Sequence, residues 1–203
     1  MRPGLPRFLF LDIGHVLVGL DYKHLAGRMR ALTGLEPGHV TALLTAEELL
    51  TNFESGKITG TEFYEEVCRR VGSRIPWQEF LELWDSVIGQ PLIPDEVLLA
   101  LAQSIHLWAI SNTNKLHFDF MARRFTFLSH FEGFVLSHEV GALKPDKRIF
   151  LHALEKARTR ASEVLFVDDQ EINVKAAQEL GIDAFRFLDP DQFAAELKAR
   201  GLI

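Results

Sequence analysis

The chain has 203 residues, 47% of them apolar and 25% charged, an ordinary globular composition sized for one domain or one with a modest insert. A formal net charge of -6 without a dense basic run argues against a nucleic-acid partner. The single cysteine, Cys68, excludes an intramolecular disulfide and is expected to be a small buried hydrophobe in a reducing compartment.

The first apolar run, Phe8-Leu9-Phe10-Leu11, is short and unbroken and ends at Asp12, the pattern of a strand buried on both faces. Residues 20–90 lack clear buried strands. They carry helical periodicity over 24–32, 39–50, 61–71 and 77–87, with turn composition at 34–38 and 73–76. A four-helix insert is the simplest account, with Trp77, Phe80 and Trp84 in its core. From residue 107 onward strand and helix alternate: strand 107–110, helix 114–125, strand 133–136, helix 145–158 with Pro145 at its first position. Strand 164–167 follows, then helix 171–180 stopped by Gly181, strand 184–187, and a last helix closed by Gly201. That last helix opens with Asp189 as N-cap, Pro190 at N1 and Gln192 in the capping-box position. The alternation predicts an α/β fold. Its core is a doubly wound, mostly parallel, Rossmann-like sheet of residues 1–19 and 91–203, with a helical cap inserted at 20–90. The apolar runs are too short for a bilayer span or a signal peptide; the expectation is a cytoplasmic protein, monomer or homodimer, without a membrane partner.

Chemistry-bearing residues sit at the ends of these strands. In an open parallel sheet, ligands bind outside the carboxyl ends of the strands, where strand order reverses. Asp12, Ser111 with Asn112, and Asp168 with Asp169 all fall there. Gly14 lets the backbone approach a ligand and expose amides to an anion. Adjacent carboxylates repel unless a cation or hydrogen bonds neutralise them, and Mg²⁺, a hard oxygen-seeking ion, is the common solution. Asn173, about one helical turn on, is placed to orient that loop. Ser111-Asn112-Thr113-Asn114 reads both as a helix cap and as an anion site. Lys144 offers the fixed counter-charge that such a cleft requires. Each residue has an ordinary reading when taken alone, as a turn cap or a solvated lysine; their joint order carries the chemistry.

In this order, Asp12-Ile13-Gly14-His15-Val16-Leu17-Val18, Ser111-Asn112-Thr113-Asn114, Gly141-Ala142-Leu143-Lys144-Pro145-Asp146 and Asp168-Asp169 with Asn173 resemble the haloacid dehalogenase-like hydrolases with a helical cap. Together with Phe53-Glu54-Ser55-Gly56-Lys57-Ile58-Thr59, they are most similar to bacterial sugar-phosphate phosphatases of the α-D-glucose-1-phosphate phosphatase type. The resemblance implies Mg²⁺-dependent hydrolysis of a small phosphorylated metabolite, with a sugar phosphate leading. It implies that Asp12 attacks phosphorus. Asp12, the Gly14 carbonyl, Asp168 and Asp169 would hold the metal. Ser111 and the Asn112 amide would bind the phosphoryl group, and Lys144 would neutralise it.

One position departs from the pattern. Most such phosphatases carry a second Asp two residues after the nucleophile, as general acid and base; here that residue is Gly14. The loss is worth ~10²–10⁴-fold in rate and predicts a slow enzyme. His15, a water, or an acid from the cap side such as Asp21 or Glu54 are the candidate replacements. The missing group also supports a different class, a catalytically weak phosphate-binding or regulatory protein on the same fold. A metal-independent dehalogenase would leave the Asp168-Asp169 pair without purpose. Residues 54–57 read as a substrate-facing loop or a solvated turn. His24, Arg28 and Arg30 are surface cations, any one of which could face a sugar phosphate.

Overall fold

A computed structural model describes residues 5–34 and 47–203. Strand β1 (Phe8–Leu11) is buried along its whole length, as its unbroken apolar sequence requires. It lies at the centre of a five-stranded sheet, flanked by β4 (His106–Ser111) and β6 (Val164–Asp168), with β5 (Gly133–Leu136) and β7 (Asp183–Arg186) at the edges. All four pairings are parallel. Side chains alternate between the faces: Leu9, Leu11, Leu107, Ala109, Leu165 and Val167 enter one core, while Phe8, Phe10, Trp108, Ile110, Val164 and Phe166 enter the other. The chain leaves β1 to one side for β4 and reaches the other side at β6. The crevice at this reversal is bounded by Asp12, Ser111 and Asp168.

The short antiparallel pair β2 (Val18–Leu20) and β3 (Ile88–Pro91) forms the entry to and exit from the helical cap. The expectation of no strands at these ends is corrected. Three or four residues with a central glycine are too few to register as an alternating pattern. Between them lie α1 (Tyr22–Thr33), α2 (Glu47–Glu54), α3 (Gly60–Val71) and α4 (Trp77–Asp85). Residues 39–46 of the second expected helix, and the turn over 35–38, lie outside the described residues. A reciprocal Thr59–Glu62 capping box starts α3, and Gly72 ends it in the left-handed conformation. The cap core stacks Phe53 on Phe63 at 4.3 Å between ring centroids, and Trp84 packs tilted against Phe63 at 4.7 Å. Trp77 is 39% exposed and covers Tyr64 edge-on instead of filling the core. Cys68 is only partly buried.

The core helices are α5 (Asp95–Ala102), α6 (Lys115–Arg124), the single turn α7 (Ser137–Val140), α8 (Lys147–Lys156), α9 (Glu171–Gln178) and α10 (Pro190–Ala199). Helix α5 escapes the sequence pattern because 97–102 is apolar all round, so no 3.6-residue stripe stands out. Helix α8 begins two residues later than Pro145, at the Asp146 cap, and the Lys144–Pro145 peptide is cis. At α10, Asp189 accepts from the Gln192 backbone at 2.8 Å, while the Gln192 side chain accepts from Leu188 N, one residue outside the expected capping box. No helix among the described residues is long and apolar enough to cross a membrane.

Candidate active site

Asp12 extends β1 by one residue, its amide donating to Val167 O of β6 at 3.0 Å. The chain then turns tightly: Leu17 N and Val18 N both donate to Ile13 O, and His15 takes a left-handed φ of 56°. Its side chain is therefore set on the exposed rim. Ile13 N donates to Asp12 Oδ1 at 2.7 Å and fixes the carboxylate.

Lys144 is the hub. Its buried Nζ contacts Asp12 Oδ1 at 2.8 Å and Asp168 Oδ2 at 2.7 Å, and donates to Ile110 O at 2.9 Å. All three ammonium protons are thus satisfied. The backbone of Lys144 is held in turn by the Asn112 side chain: Asn112 Nδ2 donates to Lys144 O at 2.9 Å and Lys144 N donates to Asn112 Oδ1 at 2.7 Å. The Asn112 side chain therefore serves the lysine, a use that its sequence position alone does not reveal. Asp168 Oδ1 accepts from Gln170 N at 2.8 Å and Asn173 Nδ2 at 2.9 Å, so Asn173 orients this carboxylate directly.

Oxygens of Asp12, Asp168 and Asp169 all lie within 4.8 Å of one another. One ammonium faces three carboxylates, and the carboxyls of Asp12 and Asp169 are both raised. Burial pushes Asp12 up to about 7, Asp168 adds to the rise, and Lys144 only partly opposes it. Burial, then the charge of Asp168, raises Asp169 too. Burial alone would lower Lys144, but Asp12 and Asp168 outweigh it and hold the lysine above its ordinary value.

A cavity of about 260 Å³ opens over this cluster, lined by Asp12, Gly14, Lys144 and Asp169 from the core and by Tyr22 and Glu54 from the cap. Asn112, Asn173 and His15 also reach it. Ser111 is buried at the tip of β4 and faces an adjoining hollow, which shares Gly14, Asn112, Tyr22 and Glu54 with the cavity. The cap on α6 is Asn114, which accepts from His117 N at 3.0 Å, so the N-cap lies three residues beyond Ser111.

Tyr22 and the placement of Glu54 are contributions of the cap. Burial and the charge of Asp12 push the Glu54 carboxyl up to about 7, with Lys144 opposing; burial and Glu54 push the Tyr22 hydroxyl up to about 12. Ser137 Oγ donates to the Glu54 carbonyl at 2.6 Å, tying the end of α2 to the core. Gly56 continues the contact: it has a φ of +69°, and a Cβ there would sit 2.1 Å from His138 O. Glu54 thus faces the site and Ser55 is buried at the cap–core seam, while Gly56 and Lys57 are exposed beyond it. Asp21 is elsewhere, capping α1 by accepting from His24 N at 2.9 Å. His24 and Arg28 line a separate groove with Arg123 and Arg124.

The comparisons with known proteins agree with this architecture. D-ribitol-5-phosphate phosphatase of Bacteroides thetaiotaomicron is 26% identical over 191 residues, covering 88% of this chain and 90% of that protein. A sesquiterpene phosphatase of Aspergillus oryzae is 28% identical over 156 residues, 74% of this chain and 78% of its own. A HAD family enzyme of Bacteroides thetaiotaomicron, solved in complex with magnesium and inorganic phosphate, superimposes with a TM-score of 0.79 at 27% identity, over 91% of this chain and 95% of that one. The family model of the haloacid dehalogenase-like hydrolases matches residues 29–181, and the chain belongs to that family.

Proposed function

We propose that the chain is a Mg²⁺-dependent phosphatase acting on a small phosphorylated metabolite, a sugar or sugar-alcohol phosphate, through an aspartyl-phosphate on Asp12. The observation that carries this reading is the Lys144 ammonium locked between Asp12 and Asp168 at the floor of a cavity. Such a pair holds a nucleophilic carboxylate in place and presents positive charge where phosphoryl oxygens gather. The relatives support the substrate class: one is a phosphatase of a phosphorylated sugar alcohol.

The residues present fit a magnesium ion. The donors are all hard oxygens, the carboxylates outnumber the lysine, and the buried Asn173 Oδ1 beside them has no partner. Asp12, the Gly14 carbonyl, Asp168 and Asp169 would hold it. When bound, it supplies charge neutralisation to the phosphoryl group. The chain's own residues do the rest. Lys144 orients Asp12 and contacts the phosphoryl oxygens, Asn112 fixes Lys144, and Asn173 fixes Asp168. Ser111 and the Asn112 amide bind the phosphoryl group from the hollow at the tip of β4. Residues 20–90 act as the cap over a core of 1–19 and 91–203, excluding water and contacting the leaving group.

Gly14 favours a second reading, a phosphate-binding or regulatory protein of little turnover. Phosphate release from a panel of sugar phosphates, with Mg²⁺ and with chelator, decides between the two. Metal-dependent release that vanishes in Asp12→Asn supports the phosphatase; no release from any substrate by folded, Mg²⁺-binding protein supports the binding role.

A further inference from the structure

Gly14 carries no side chain to serve as the acid that the resemblance expects, and a Cβ there would crowd the tip of Leu20. A Cβ on Gly14 would sit 3.0 Å from Leu20 Cδ1, so the leucine occupies the space beside that backbone. A proton donor for the leaving group must come from another wall of the cavity.

The cavity has three carboxylates in its lining: Asp12, Asp169 and Glu54. Asp12 is engaged with Lys144, and Asp169 belongs to the acidic cluster. Glu54 alone comes from the opposite, cap side. Its backbone does not swing with a free loop. The Ser137 hydroxyl holds its carbonyl, and Gly56, two residues on, lies against the His138 carbonyl. The Glu54 side chain thus lines the cavity from a held backbone, near enough to Asp12 and Lys144 to feel the charge of both. Of the other replacements, Asp21 is committed to the α1 cap, and His15 is exposed on the rim, on the side of Asp169.

We propose that Glu54 is the general acid and base of this site, supplying from the cap the group that Gly14 cannot carry. The proposal rests on the phosphatase reading above. In the first step an Asp12 oxygen bonds to phosphorus and the phosphorus–oxygen bond to the substrate breaks. The electron pair goes to the leaving oxygen, which takes the Glu54 proton and departs as an alcohol. In the second step the Glu54 carboxylate takes a proton from water as the water oxygen bonds to phosphorus. The bond between phosphorus and Asp12 breaks, its electron pair returns to the carboxylate, and inorganic phosphate leaves. Glu54 ends protonated, as it began. Burial holds its carboxyl near neutrality, which suits both directions of transfer.

The test follows wild type, Glu54→Gln, Glu54→Asp and His15→Gln with Mg²⁺ on two substrates. One is a sugar-alcohol phosphate, whose alkoxide needs a proton. The other is p-nitrophenyl phosphate, whose leaving group needs none. Glu54→Gln is expected to lose ~10²–10⁴-fold in kcat on the first with little change in KM. On the second it is expected to release one equivalent of nitrophenolate in a burst and then stall with phosphate on the protein, which also proves it folded. Glu54→Asp is expected to recover part of kcat. The assignment is overturned if Glu54→Gln keeps wild-type kcat or loses only KM. It is also overturned if the burst appears in His15→Gln instead, or if Glu54→Gln and Glu54→Asp are both inactive without a burst. A wild type inactive on both substrates would overturn the phosphatase reading, and this proposal with it; an active wild type with an undiminished Glu54→Gln overturns this proposal alone.

Discussion

The two walls of the cavity are built by different means. The core wall is a product of sheet topology: three adjacent strand ends deliver Asp12, Ser111 and Asp168 to one crevice, and Lys144 is clamped among them with every proton used. The cap wall meets the core at separate points: the Ser137–Glu54 bond and the seam at Gly56, and farther off Trp84, whose carbonyl lies 3.0 Å from His117 Nε2 and whose indole donates to Asn114 Oδ1. A network with every group satisfied is stiff and intolerant of loss. A wall joined at separate points can shift at one of them without unfolding either side. Substitutions in the core wall should therefore remove the chemistry itself, and those in the cap wall should grade it.

The largest effect is expected at the core wall. Asp12→Asn should bring turnover down to the uncatalysed background while the protein keeps its fold, because the amide still accepts from Ile13 N and from Lys144. Phosphate release and circular dichroism, measured on the same preparation, check this; retained turnover would remove Asp12 as the nucleophile. Lys144→Met should also abolish activity, but through a different balance. It leaves Asp12 and Asp168 buried without their partner, a loss on the order of 3–5 kcal/mol. Denaturant unfolding of the metal-free protein should show that loss, and added Mg²⁺ should restore part of it.

An intermediate effect separates close approach from backbone strain at the cap wall. Gly56 and Gly72 have nearly the same left-handed φ, +69° and +71°, yet a Cβ at Gly72 meets nothing within 4 Å, while one at Gly56 meets the His138 carbonyl at 2.1 Å. Both Ala substitutions should cost about 1–3 kcal/mol of stability from conformation. Gly56→Ala alone should lower kcat, because the seam must open and carry Glu54 back. Equal kcat values in the two variants would mean that the seam does not position the cap wall.

The same division separates what the sequence discloses from what it hides. The strands of the core are legible because each is a short unbroken apolar run, and the ends of β1, β4 and β6 carry their polar residues at the one place where a parallel sheet binds ligands. The tie from the Asn112 side chain to the Lys144 backbone spans 32 positions, and the bond from Ser137 to Glu54 spans 83. No local periodicity encodes either. Asp21, Glu54 and His15 look alike as ionisable residues near a gap; only the fold assigns Asp21 to a helix cap and Glu54 to the cavity wall. Trp77 shows the limit from the other direction. Its spacing matches that of Phe80 and Trp84, but it stands at the first turn of α4, where the stripe runs out of the cap core into solvent.

The smallest expected effect is thermodynamic and needs no substrate. Glu54 has a carboxyl raised from 4.5 to about 7 by burial and by Asp12. Between those values the folded protein holds a proton on Glu54 that the unfolded chain has released, so this group makes stability fall as pH rises from about 4.5 to about 7. The buried neutral imidazole of His117, lowered to about 4 by burial, acts in the opposite sense over the range below 6.5 and masks the slope in wild type. Comparing variants removes the mask. Metal-free Glu54→Gln should match wild type in Tm near pH 4, where Glu54 is protonated in both states. It should become progressively more stable than wild type toward pH 7 and above, where wild type carries the buried charge. A Tm difference independent of pH would mean that Glu54 reaches solvent freely, and the cap wall would then be open instead of closed over Asp12.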